Sequence, residues 1–169
     1  VRAKTVDAIF ETEEKVNRSL KAGAMAIGCD LEIQDTPGYF PLHQDENLTE
    51  LLKKHIRNYM DDSMIAQGTH GFASGDMGDI SMMWPTVEIG TAGFSGTIHG
   101  KDFKTADPVQ AFEIPARYFA DAIEELLSDG GAAAWKIKEA FRPIMSKTDY
   151  LEKLDSLNKS TNFIYSKGE

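Results

Sequence analysis

One cysteine, Cys29, is all the sequence has, and that scarcity excludes an intramolecular disulfide and every CxxC redox or metal motif. The lone thiol follows the helix end AMAIGC and reads as a small buried side chain, which fits a reducing, cytoplasmic setting. Positive charge is also short: 18 Lys and Arg stand against 27 Asp and Glu, a net charge of -9. Nucleic acid and anionic membrane both require positive potential, so neither is an expected partner. Lysines alternate with glutamates, as in EELLSDGGAAAWKIKEAF, and no basic stripe forms. No apolar run approaches the ~18 to 20 residues that span a bilayer. The start, VRAKTVDAIF, has neither the apolar core nor the cleavage site of a signal peptide. It also lacks a methionine, which raises the expectation of a longer parent polypeptide.

Motifs are sparse too. The histidines are His43, His55, His70 and His99, and none forms an HxxxH or HExxH pair, so spacing alone gives no self-contained zinc site. Ser95 in GFSGT lacks the fifth-position glycine of a nucleophile elbow. GDMGD lacks the acid ladder and closing glutamate of a calcium loop. GTHGFASGDMGD has no P-loop lysine and the wrong spacing for a dinucleotide site.

What is present is an ordinary globular composition, 41% hydrophobic and 27% charged over 169 residues. That length suffices for one domain with a core, or for a domain and part of another. Residues 5–27 predict a long helix, with Val6, Ile9, Phe10, Val16, Leu20, Ala24 and Ile27 at helical spacing and Gly28 as its C-terminal cap. DLEIQD alternates as a half-buried strand. With VRA as an earlier strand, the first segment predicts a β-α-β unit that must lean on another surface. DTPGYFPLHQDEN then reads as a connector and domain boundary. A second helix follows, with Asn47 and Glu50 as a capping box and Leu48, Leu51, Leu52, His55, Ile56 and Tyr59 on one face. His55 has no acid or second histidine at i±4, so it reads as a core-edge side chain.

Residues 61–83 read as a long loop, and TVEIGTAG as a short buried strand through Val87 and Ile89. Asp107 and Pro108 open a third helix whose inward residues are expected to be Val109, Phe112, Ala116, Phe119, Ala120, Ile123 and Leu127. Pro115 must kink it or mark its true start. GGAAAWKIKEAF and TDYLEKLDSLNK predict two further helices. Within this frame His99, between glycines, reads either as a ligand or as a turn residue. Asp76 and Asp79 read either as turn-forming side chains or as site residues.

The run SGDMGDISMMWPTVEIG, followed by GTIHGKDF, resembles the C-terminal segment of the dinuclear-zinc amidohydrolases and peptidases, a family that includes aminoacylases and glutamate carboxypeptidases. The branch it most resembles is that of p-aminobenzoyl-glutamate hydrolase-like amidohydrolases. Asp76, Gly78, Asp79, Ile80, Ser81 and Pro85 fit the family block, and His99 falls where a late histidine is expected. Ala73 and Gly75 depart from its usual glycine and threonine or glutamate. The segment VRAKTVDAIFETEEKVNRSLKAGAMAIGCDLEI is similar to the last strand-helix-strand of the family's lid, or dimerisation, domain.

The resemblance implies an α/β fold: residues 1–37 as half of that lid, and residues 38–169 as the C-terminal portion of a mixed-sheet metallopeptidase-type catalytic domain. It implies hydrolysis of the amide bond of N-acyl or aminobenzoyl amino acids, or of short peptides, with two divalent metal ions, zinc by preference. His99 would be a metal ligand, with Ser74, Asp76, Asp79 and Gly96 in the surrounding loops. The remaining ligands and the general-base glutamate would lie outside these residues, leaving this portion inactive alone. A homodimer through the lid is the expected assembly. A non-catalytic interaction or dimerisation module that keeps the family fold is the alternative.

Overall fold

The computed structural model describes residues 1–66, 68 and 74–166. Among the described residues the fold mixes helices with two small antiparallel sheets, and the chain divides into two units. Unit 1 comprises Val1–His43, Phe72–Met83 and Pro143–Glu169; unit 2 comprises Gln44–Gly71 and Trp84–Arg142.

Unit 1 opens with helix α1 (Val6–Ala26), started by Thr5, whose hydroxyl accepts the Ala8 N–H at 3.3 Å. It closes as a Schellman turn: Gly28 stands at φ 69, and the Cys29 N–H reaches back to the Ala24 carbonyl at 3.0 Å. The turn carries Cys29 out past the helix end, so the thiol is exposed rather than buried as expected. Strand β1 (Leu31–Asp35) forms where the alternation places it. Its predicted partner does not form, because residues 1–3 contain no strand. β1 pairs instead with β4 (Lys159–Phe163), antiparallel, with Leu31 opposite Phe163 and Asp35 opposite Lys159. The expected β-α-β unit is therefore a helix on an antiparallel ribbon.

The face that α1 turns inward also differs from the apolar stripe read along the sequence. Val6 and Phe10 pack on the unit 1 core, but Val16, Leu20 and Ile27 are exposed. Glu13 and Asn17 take the inward positions because the ribbon offers them polar partners. Lys159 Nζ lies 2.8 Å from Glu13, and the Asn17 amide donates to Asp35 at 3.2 Å. Helix α3 (Asp76–Ser81) and helix α6 (Lys147–Leu157) complete the unit. Ser146 and Asp149 form a capping box at the head of α6. The core is Phe40, Met82 and Met145, with Tyr150, Leu154 and Leu157 packed against it.

Unit 2 is built on helix α2 (Glu46–Ile56) and helix α4 (Ile114–Leu127). The cap of α2 is Asp45, which accepts the Leu48 N–H at 2.7 Å, rather than Asn47. The buried members are Leu52, Ile56, Tyr118 and Ala122, with Val87 and Ile89 packed on them. Val87 and Ile89 are half-buried outside regular secondary structure and pair with no strand among the described residues. Asp107 caps the next segment through the Val109 and Gln110 N–H groups at 3.0 and 3.2 Å. A wide π-helical turn over Val109–Glu113 precedes Pro115, which sits in the first turn of α4, where its missing N–H costs nothing.

The inward face runs one residue ahead of the expected stripe. Ala111, Pro115, Tyr118 and Ala122 face inward, and the residues expected there, Phe112, Phe119, Ile123 and Leu127, face out at 57%, 39%, 53% and 71% exposure. Gly130 and Gly131, both at positive φ, separate α4 from helix α5 (Ala132–Ala140). Two-residue strands β2 (Phe94–Ser95) and β3 (Lys104–Thr105) form a hairpin stem.

Candidate functional site

Ser74, Asp76 and Asp79 belong to unit 1, whereas Gly96 and His99 belong to unit 2. His70 and Ala73 lie outside the described residues.

In unit 1 the segment expected to be a loop folds as α3 from Asp76, with Gly75 before it in extended conformation. Ser74 and Asp76 are exposed at its start. Asp79 is half-buried and turned to the connector, where its Oδ1 accepts the Phe40 N–H at 2.8 Å. Two residues on, the buried Ser81 hydroxyl accepts the His43 N–H at 2.9 Å and donates to the Gly78 carbonyl at 2.6 Å. Gly78 is needed for a reason of space: a Cβ there would collide with the Phe40 carbonyl. Tyr150 meets the Phe40 ring edge-on, with centroids 5.7 Å apart. Burial, then the Asp79 carboxylate that it bonds, pushes the Tyr150 hydroxyl above its ordinary range. Asp79 thus does backbone and core work, an arrangement in which one carboxylate organises three segments of chain.

In unit 2 the loop between β2 and β3 carries Gly96 and His99. Gly96 stands at φ 91, and a Cβ there would strike the Asp102 carbonyl. The Asp102 carboxylate closes the turn by accepting the Thr97 N–H at 3.1 Å. His99 adopts φ 64, a left-handed conformation that is uncommon for a side-chain-bearing residue, and its side chain is exposed. Phe94 and Phe103 stack beneath the loop at 5.2 Å.

A single imidazole is one donor, and a catalytic zinc takes three from protein. Among the described residues no group of three or more His, Cys, Asp or Glu side chains is placed to hold an ion. The residues described here therefore do not by themselves fit a metal centre.

His55 has a partner that local spacing does not disclose. Its Nε2 lies 2.7 Å from Glu125 Oε2 on α4, and Lys54 Nζ lies 2.6 Å from the same oxygen. The hydrogen bond from Lys54, then that from His55, holds the Glu125 carboxyl below its usual range. One turn away Tyr59 donates to Asp121 at 2.7 Å. The Lys54 and His55 bonds join α2 to α4, and the Tyr59 bond joins the turn after α2 to the same helix. No helix among the described residues is long and apolar enough to cross a membrane. No protein-family model, curated protein or solved structure matches the chain.

Proposed function

We propose that the chain is the C-terminal portion of a metal-dependent amidohydrolase that cleaves the amide bond of N-acyl or aminobenzoyl amino acids. The observation that carries this reading is the order of the acidic block and His99, with the imidazole held exposed at φ 64 on a glycine-bounded turn. A left-handed histidine costs backbone energy, and such strain is concentrated at functional positions. His99 would supply one donor of a two-metal zinc centre whose other donors, and whose general base, lie in another part of a longer polypeptide.

A second feature supports a larger parent. α4 carries a second apolar stripe, with Tyr118 and Ala122 inside and Phe119, Ile123 and Leu127 exposed. An exposed apolar stripe of this kind is a surface suited to being covered.

The test is metal content and hydrolysis by a longer parent polypeptide and by its His99→Ala variant. Loss of bound metal together with hydrolysis supports the role, and a variant that keeps both metals and full activity refutes it. The same outward face of α4, with the exposed Val16, Leu20 and Met25 of α1, favours the second reading, an assembly module that pairs with a further copy. Light scattering of the chain at high concentration separates the two: a strict monomer counts against the module.

A further inference from the structure

The connector and the acidic block meet at both ends of a three-residue span. Phe40 donates its N–H to Asp79 at 2.8 Å, and His43 donates its own to Ser81 at 2.9 Å. Between them lies Pro41, whose ring fixes φ and stiffens the segment. A span of three residues reaches at most about 10 Å and has little slack. The Phe40 carbonyl fills the space over Gly78, while its ring, 3% exposed, shares the core with Met82 and Tyr150.

We infer that Gly78, Asp79 and Ser81 form a two-point latch that grips the backbone of residues 40–43 and opens and closes as one unit. Neither grip opens alone. Freeing the Phe40 amide draws its ring out of the core, and the stiff segment then pulls His43 from Ser81. In this sense G-D-x-S is a motif that reads the peptide backbone: glycine makes room for a carbonyl, and Asp79 and Ser81 each take an amide. The latch holds whether or not the chain serves an amidohydrolase, and its test is independent of that reading.

Amide hydrogen exchange of the whole chain is the measurement. In the unsubstituted protein the opening free energies at Phe40 and His43 coincide and share one denaturant dependence; separate values overturn the latch. Asp79→Ala speeds exchange at both amides by about tenfold or more, including His43, whose own acceptor is intact. Asp79→Asn keeps the accepting oxygen and restores slow exchange at both. Acceleration at Phe40 alone would show two independent bonds and overturn the proposal. Equal acceleration through the β1–β4 ladder would show general loosening of unit 1 and overturn it too.

Discussion

Gly78 in unit 1 and Gly96 in unit 2 come from one glycine-rich run, yet different constraints select them. Gly78 is buried inside a helix and yields its side-chain space to a carbonyl 38 residues earlier in the chain. Gly96 lies on an exposed hairpin loop and answers to a neighbour six residues on, at a φ of 91 that a side chain seldom adopts. The first is a tertiary requirement and the second a local one. Glycine density therefore marks close approach of backbone, and it does not by itself distinguish a ligand from a neighbouring strand.

The largest effect is expected from Gly78→Val. The Phe40 carbonyl is backbone and cannot swing aside, so the substitution is expected to cost about 3 kcal/mol or more in urea unfolding. A cost under about 1 kcal/mol would mean that the connector relaxes freely. In unit 2, Gly96→Ala meets both a clash and a disfavoured φ and is expected to cost about 1–3 kcal/mol. His99→Gly removes the left-handed strain on the same loop and is expected to raise stability by about 1 kcal/mol. Opposite signs from two residues in one turn would confirm that the loop's geometry, not its packing, sets its energy.

The smallest effect falls on the α2–α4 contact. Glu125 is held below its usual range by Lys54 and His55. A depressed carboxyl adds stability above its unfolded pKa, and that stability disappears as pH falls through the lower folded value. Glu125→Gln should accordingly lower stability above about pH 4.3 and converge on the unsubstituted protein in acid, which flattens the acid limb of the profile. A parallel shift at all pH values would assign the loss to packing instead.

Elements governed by local rules were legible in the sequence. α1, its glycine exit, β1, the cap at Asp107 and the helices α5 and α6 follow from periodicity, capping residues and turn glycines. Three kinds of expectation failed: which face is inward, which strand is the partner, and where a helix starts. From Ala111 onward the inward face runs one residue ahead of the apolar stripe, with Tyr118 and Ala122 rather than Phe119 and Ile123 packed on Leu52 and Ile56. The β1 ribbon found its partner at Lys159–Phe163, a polar strand with little alternation to announce it. The cap of α2 is Asp45, one residue before the first helical position, whereas the S/T-x-x-E-like reading at Asn47 falls inside the helix.

The candidate site divides the same way. The glycines around Asp79 and His99 single both out in the sequence as turn or site residues. That Asp79 bonds Phe40 and Tyr150, or that His55 finds Glu125 across 70 positions, could not be seen there. What could be read from residues alone was the existence of the long helices α1, α2, α5 and α6 and the turn at Gly28, because periodicity and turn glycines act within one or two turns. Only the tertiary structure decided which faces are buried and which polar groups meet, because long-range pairing depends on the phase that each element brings to the contact.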